Sequence, residues 1–247
     1  MSGQFNVFRK AFHFSGIIYV LIYFTDYLHN LPGGYFLENT RSVLFYALTG
    51  VYLIMVIYEI LRFRYPFFQN LFVAIAGKIL KPDELHKTHG SMPFFLGLAV
   101  CTAFCLKEIA ILGALFLMIG DPCAAWFGGK YGKHKLANGK SYEGFAAGIL
   151  GAFLIGVLFL IINNQVYPEN IFSRKLTSQT WLVLFLLLLS ALAAFSAELL
   201  SSSGFFDDNF LIPVVSGTAL SFLFAFFFNL DFTFVFFPVS DLLIPIT

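Results

Sequence analysis

The residues of this chain that are best suited to chemistry are acids that stand inside or beside long apolar segments. Asp121 ends one apolar run and precedes Pro122, and Glu198 lies near the end of another. An ionisable group at that depth is costly unless it is paired or lines a cavity, so it indicates a functional site. Asp207 and Asp208 open a further apolar run, where a helix cap explains one of them and a shared Mg²⁺ would relieve the repulsion between both. The sequence therefore predicts Asp121, Asp207 and Asp208 as metal ligands, with Asp121 and one of the other two as a cradle for Mg²⁺ and a nucleotide.

A segment rich in glycine and lysine follows Asp121. Its glycines and lysines are Gly128, Gly129, Lys130, Gly132, Lys133, Lys135, Gly139, Lys140 and Gly144. Glycine lets backbone N–H groups approach a phosphate closely and lysine supplies positive charge, so the composition favours phosphate binding. A positive loop is also what a cytoplasmic position requires, and the segment has no Walker-type motif, so both interpretations stay open. Glu143 suits a metal ligand, a residue that orients Lys140 or an acid in the first turn of a helix.

A third set of polar residues begins near the N-terminus. Arg9 and His13 are four residues apart and share one face of a predicted helix, where they could hold a phosphate or a lipid head group. Anchoring at the membrane interface explains Arg9 and Lys10 equally well. The remaining members of the set are Glu59, Arg62, Glu84, His86, Lys87 and His89.

Long apolar helices must position these residues. Hydrophobic residues make up 59% and charged residues 12% of the 247 positions, and a soluble domain carries about twice that charged share. The apolar runs are near the ~20 residues that cross a bilayer, so the sequence predicts an all-α polytopic membrane protein, with residues 1–247 as a single integral membrane domain. About seven or eight transmembrane helices are expected, at 13–28, 42–61, 91–106, 108–127, 144–162, 180–200 and 211–229, with 232–247 as the candidate eighth. Residues 67–80 are shorter and predict an interfacial helix.

Pro122 predicts a break in the fourth span. Proline disfavours helix at the residue before it and suits the first turn of a new helix. We therefore expect the span to break at Gly120–Pro122, with Asp121 capping a second half-helix. A broken helix at membrane depth is tolerated where it lines a cavity or is covered by protein.

The distribution of basic residues predicts the orientation. With seven spans and a cytoplasmic N-terminus, eleven of the 15 lysines and arginines lie on the cytoplasmic side and four on the other. The acids and the glycine-rich segment then face the cytoplasm, which places the active site of this integral membrane protein on that side. The formal net charge of +1 gives no basic excess for binding nucleic acid. The sequence specifies no oligomeric state.

The order of these motifs resembles the CTP-dependent lipid-alcohol kinases, which include dolichol kinase, phytol kinase and the yeast-type diacylglycerol kinase. The match runs from Arg9 to about Gly217. Its motifs are Arg9-Lys10-x-x-His13, Gly120-Asp121-Pro122 with Ala124, Ala125, Gly128 and Gly132, Gly139-Lys140-Ser141-x-Glu143-Gly144, and Asp207-Asp208-Asn209 with Pro213.

The resemblance implies transfer of the γ-phosphate of CTP to the hydroxyl of a polyprenol, dolichol, phytol or diacylglycerol in the bilayer, with Mg²⁺ as cofactor. It implies catalytic roles for Asp121 and Asp208, as metal ligands or as the proton acceptor, and for His13 near the lipid. The nucleotide-binding residues that it implies are Arg9, Gly120, Gly128, Gly132, Lys133, Lys140, Ser141, Glu143 and Gly144.

Two other functions compete with the kinase. Phosphatidate cytidylyltransferases are similar around residues 128–144, but their C-terminal acidic and HGG-type signature is not visible in this sequence. A membrane transporter would also use a broken helix and buried acids. It predicts corresponding broken segments in two halves of the chain, and the sequence shows one.

Overall fold

The part of the chain that the structure describes is built from helices. The computed structural model describes residues 14–27, 40–77, 85–136, 139–201 and 207–236. In this part only two isolated bridges, Cys105 with Phe236 and Lys135 with Ser141, have extended pairing. The helices are α1 Ile17–Phe24, α2 Thr40–Arg64, α3 Pro66–Ala76, α4 Ser91–Phe104, α5 Lys107–Leu115, α6 Asp121–Tyr131, α7 Tyr142–Val166, α8 Ile171–Ser178, α9 Thr180–Glu198, α10 Asp208–Phe228 and α11 Phe232–Val235. The all-α prediction is confirmed.

Five helical segments of the described residues are long and apolar enough to cross a membrane. They are α2, the continuous segment Lys107–Tyr131, α7, α9 and α10. The predicted spans at 13–28 and 91–106 correspond to α1 and α4, which have 8 and 14 residues and fall short of the ~20 that cross a bilayer. The expected number of seven or eight spans is therefore not confirmed. The predicted interfacial segment at 67–80 overlaps α3, Pro66–Ala76, and most of the candidate eighth span lies outside the described residues.

The expected break at Gly120–Pro122 is wrong, because the backbone stays helical from α5 to α6. A π-helical turn, Phe116–Gly120, joins the two helices. Gly120 has φ −65° and ψ −46°, and Asp121 has φ −61° and ψ −47°, so both are helical. A proline within a regular α-helix clashes with the carbonyl four residues earlier, and the wider π turn relieves that clash where Pro122 enters α6. Asp121 is thus a residue of a continuous helix and not the cap of a new one.

The segment Lys107–Tyr131 forms the centre of the molecule. In its most apolar window 67% of the residues are buried, against 17% in α2 and 28% in α7, so α2 and α7 present long apolar sides to the surroundings. α6 packs along α7, and α9 packs along α10. Phe195 of α9 is fully buried between Gly120 and Gly148, where a Cβ on Gly120 would lie 2.5 Å from the Phe195 ring. Gly120 of the π turn and Gly148 of α7 thus leave room for the Phe195 ring of α9, and this packing helps to bring the acids together.

Candidate active site

Three acids from three helices meet at one point. Asp121 begins α6, Glu198 ends α9 and Asp208 begins α10. One carboxylate oxygen from each lies within 4.8 Å of those of the other two. Asp121 and Glu198 are only 5% and 7% exposed, and Asp208 is half-buried. The structure therefore places Asp121 beside Asp208 and adds Glu198 as a third member of the cluster.

Three carboxylates so close together require positive charge nearby. Two unit charges 4.8 Å apart repel by roughly 3 to 4 kcal/mol at an effective dielectric constant near 20. Lys140 offsets part of this charge, because its ammonium lies 3.0 Å from Glu198 Oε1. A hard divalent cation such as Mg²⁺ prefers a set of oxygen ligands. The chemistry of the three acids therefore fits a Mg²⁺ ion.

A short hairpin-like loop carries Lys140 to α9. Leu136 donates its N–H to the Lys140 carbonyl over 2.8 Å, and Gly139 donates to the Leu136 carbonyl over 2.9 Å. Gly139 has φ +82°, a conformation that glycine adopts without strain. The Lys140 ammonium then donates to the carbonyl of Glu198, to its carboxylate and to Ser201 Oγ. Lys140, which the sequence predicts as a phosphate ligand, thus donates hydrogen bonds to three acceptors at the end of α9.

Several predicted phosphate-binding glycines lie where α6 and α7 touch. A Cβ on Gly144 would be 2.8 Å from the Ala124 carbonyl oxygen, and one on Gly132 would overlap the Gly128 carbonyl oxygen. Ser141 caps α7 by accepting the Gly144 N–H over 3.2 Å. These positions therefore have a packing or capping role in the structure, and phosphate binding by the same residues stays a prediction.

Asp207, Glu143 and Lys133 are not members of the carboxylate cluster. Asp207 Oδ1 caps α10, accepting the backbone N–H of Asn209 over 3.0 Å and its side-chain Nδ2 over 2.6 Å. Glu143 contacts His134 Nδ1 over 2.7 Å, so the suggested pairing of Glu143 with Lys140 is not the one formed. Lys133 is exposed. Arg9, Lys10 and His13 lie outside the described residues.

The pairing of Lys140 with Glu198 is the contact that sequence reasoning missed. Both residues are identified from the sequence, Glu198 by its depth in an apolar run and Lys140 by its loop. They are separated by 58 positions, and no periodic pattern links a loop lysine to the end of a distant helix. The available signal was that a buried Glu198 requires a cationic partner.

The helices and the site together define a class of protein. Membrane-length apolar helices that converge on buried acids beside a lysine-bearing loop are what an enzyme needs to act on a membrane lipid with a charged, water-soluble co-substrate. No protein-family model matches the chain, and no solved structure matches it.

Similarity to characterised proteins identifies the family. The chain is 30% identical over 217 residues to the CTP-dependent diacylglycerol kinase 1 of Saccharomyces cerevisiae, and the match covers 84% of this chain and 70% of the relative. It is 28% identical over 232 residues to the protein of the same name from Eremothecium gossypii, with 88% and 67% covered. For the Schizosaccharomyces pombe protein the identity is 29% over 167 residues, with 66% and 72% covered. The chain belongs to the CTP-dependent diacylglycerol kinase family.

Proposed function

We propose that this protein is a CTP-dependent kinase that phosphorylates the hydroxyl of diacylglycerol within the membrane. Its similarity to three proteins named CTP-dependent diacylglycerol kinase 1 supports the donor and the acceptor. The observation that carries the chemistry is the cluster of Asp121, Glu198 and Asp208. Phosphoryl transfer depends mainly on positioning and charge neutralisation, and a buried cluster of hard ligands suits that task.

The reaction transfers one phosphoryl group. The hydroxyl oxygen of the lipid forms a bond to the γ-phosphorus of CTP, and the bond from that phosphorus to the oxygen bridging the β-phosphorus breaks. CDP leaves with the bridging oxygen, and the hydroxyl proton passes to a carboxylate, for which Asp121 and Asp208 are the candidates. The products are CDP and phosphatidic acid.

The proposal assigns a role to each residue, and Asp121 and Asp208 are candidates both for binding the ion and for accepting the proton. Asp121, Glu198 and Asp208 would hold Mg²⁺, which would neutralise charge on the phosphates. Lys140 holds Glu198 in place, and Lys133 with the backbone of the 132–141 loop faces the triphosphate. Asp207 caps α10 and does not serve as a ligand. His13, beside the lipid, and Arg9, on the nucleotide or beside the lipid, are assigned from the resemblance alone.

The membrane arrangement follows from the charge of the co-substrate. We propose that residues 1–247 form one integral membrane domain and that the carboxylate cluster faces the cytoplasm, where CTP is available. The eleven-to-four distribution of lysine and arginine that seven spans would give supports that orientation. The apolar sides of α2 and α7 face the bilayer that holds the lipid substrate.

The decisive experiment follows each phosphate of CTP separately. Purified protein in mixed micelles receives CTP labelled at the α- or the γ-phosphate, with diacylglycerol, a polyprenol, phytol and phosphatidic acid as acceptors. We expect γ-label in phosphatidic acid, formed from diacylglycerol, and α-label only in CDP. Label from the α-phosphate in lipid would instead make the protein a cytidylyltransferase, and γ-label in a different alcohol would reassign the acceptor.

Two variants connect this assay to the cluster. Asp121→Asn keeps the size of the side chain and removes its charge, and we expect it to abolish transfer while the protein stays inserted in the membrane. Glu169→Gln is the matched control, because Glu169 is an exposed acid whose carboxylate contacts Arg174. Full activity of the Asp121→Asn protein would remove Asp121 from the mechanism.

A further inference from the structure

A second buried polar network lies at the end of α2. The Arg62 side chain is fully buried, and its Nε donates to Glu59 Oε2 over 2.9 Å. Nη1 donates to Gln69 Oε1 of α3 over 3.1 Å, and the guanidinium lies 4.4 Å from the Phe72 ring. A buried ion pair costs desolvation energy and does not by itself stabilise a fold. The network is therefore better explained by the positions that it fixes than by a gain in stability.

The network forms hydrogen bonds to the backbone just before α4. Arg62 Nη2 donates to the Lys87 carbonyl over 2.6 Å, and Gln69 Nε2 donates to the Leu85 carbonyl over 3.1 Å. Glu59 Oε1 accepts the backbone N–H of His89 over 3.3 Å. Three side chains of α2 and α3 thus fix the short segment 85–89.

The same segment reaches the carboxylate cluster through Asn209. The next carbonyl, that of Gly90, accepts a hydrogen bond from Asn209 Nδ2 over 3.1 Å. Asn209 is 1% exposed and directly follows Asp208 in the first turn of α10. Hydrogen bonds at both ends of the backbone segment 85–90 therefore connect Arg62 to the residue beside one of the clustered acids.

We infer that Arg62 and Glu59 are positioning residues, which hold Asp208 in its place in the cluster through the segment 85–90 and Asn209. This inference rests on the proposed metal site. The Arg62 side chain is fully buried among its hydrogen-bond partners, so we expect its loss to act through metal binding. Substitution of Arg62 should weaken binding of the ion more than it weakens the fold.

The chain provides a matched control at the other end of α2. Arg41 Nε donates to the Thr102 carbonyl over 2.9 Å, and its Nη2 donates to the Ala103 carbonyl. Arg41 and Arg62 thus both tie α2 to backbone at an end of α4, but Arg41 does so at the end far from Asn209. Lysine at either position keeps the charge and removes the multiple, planar set of donors.

The test measures Mn²⁺ binding to the full-length protein in detergent by electron paramagnetic resonance, with thermal unfolding recorded in parallel. We expect Arg62→Lys to raise the Mn²⁺ Kd at least fivefold and Arg41→Lys to leave it within twofold of wild type, at similar losses of Tm. Gln69→Ala, a milder change in the same network, should raise the Kd at least twofold. An unchanged Kd in both network variants, or an equal rise in the Arg41→Lys protein, would overturn the positioning role.

Asp208→Asn separates this inference from the proposed function. If wild-type protein binds no Mn²⁺, or if Asp208→Asn binds it as tightly as wild type, the metal site itself is wrong and the positioning role falls with it. If Asp208→Asn loses binding while the network variants keep it, the metal site stands and only the positioning role is overturned.

Discussion

At the scale of the residue, the three clustered acids have unequal helix environments. Asp208 lies at the N-terminus of α10, where the helix dipole stabilises a negative charge by about 0.3 to 1 kcal/mol. Glu198 lies at the C-terminus of α9, where the same dipole opposes it. Lys140 pairs with the acid in the unfavourable position and also bonds to the Glu198 carbonyl. The lysine therefore compensates the charge where the fold itself does not.

Replacing Lys140 tests whether it supports Glu198 or binds phosphate. Lys140→Ala leaves a buried carboxylate without this partner, so we expect the free energy of unfolding to fall by about 1 to 3 kcal/mol, the lower values reflecting partial exposure of the lysine. The kcat should fall, with the KM for CTP within about threefold of wild type. Thermal unfolding in detergent and steady-state kinetics measure these quantities.

Two further variants distinguish support of Glu198 from phosphate binding by Lys140. Glu198→Gln added to Lys140→Ala should recover part of the lost stability, because the unpaired charge is gone. Lys135→Ala, at an exposed lysine of the same loop, should change neither stability nor kcat. Unchanged stability of Lys140→Ala with a tenfold higher KM for CTP would place Lys140 on the triphosphate instead.

The sequence identified Asp121, Glu198 and Asp208 as candidates but not how they are arranged. Asp121 and Glu198 stand out because an acid inside an apolar run needs a reason to be there. Asp207 and Asp208 are equivalent in sequence, and the structure separates them into a helix cap and a member of the cluster. Which of the two is the cap depends on the residue at which α10 begins. A start one residue earlier or later is equally compatible with the sequence.

At the scale of the element, hydropathy located the long helices within a few residues of their ends. The predicted spans at 42–61 and 144–162 correspond to α2, Thr40–Arg64, and α7, Tyr142–Val166. The π turn at Phe116–Gly120 was not predictable in this way, because Pro122 signals a helix start whether or not the preceding helix stops. The Phe195 ring packs on Gly120, the last residue of that turn.

The turn that presents Lys140 depends on the conformation of one glycine. A Cβ would meet nothing within 4 Å at Gly139 or at Gly129, but only Gly139 has a positive φ, +82°. We expect Gly139→Ala to lower the free energy of unfolding by about 1 to 2 kcal/mol, because alanine is strained in that conformation. Gly129→Ala, within α6, should stabilise the protein by up to about 1 kcal/mol.

Chemical denaturation of the two alanine variants in the same detergent measures the difference. We also expect Gly139→Ala to reduce kcat, as Lys140→Ala does, because it loosens the contact with Glu198 that Lys140→Ala removes. Equal stabilities for the two glycine variants would mean that the turn tolerates a different backbone conformation and does not fix Lys140.

At the scale of the whole molecule, the described structure gathers its chemistry at one end of the bundle. The segment 139–141, the C-terminus of α9 and the N-terminus of α10 meet there through Lys140 and the clustered acids. The short helix α8, Ile171–Ser178, follows the opposite end of α7 and bears Arg174 and Lys175. A bilayer whose plane is perpendicular to these helices therefore has the candidate active site on one side and α8 on the other. The numbers of basic residues on the two sides then predict the orientation.

Accessibility of single cysteines determines that orientation. The native Cys101, Cys105 and Cys123 are replaced by alanine, and Lys135→Cys or Ser178→Cys is introduced at exposed positions on opposite ends of α7. In intact cells of a bacterial host, we expect a membrane-impermeant maleimide to label the Ser178→Cys protein at once. The Lys135→Cys protein should react only after the membrane is permeabilised, because the cytoplasmic side carries most of the lysine and arginine. The reverse pattern would place the carboxylate cluster on the side away from cytoplasmic CTP, which would contradict the orientation and remove the supply of the proposed co-substrate.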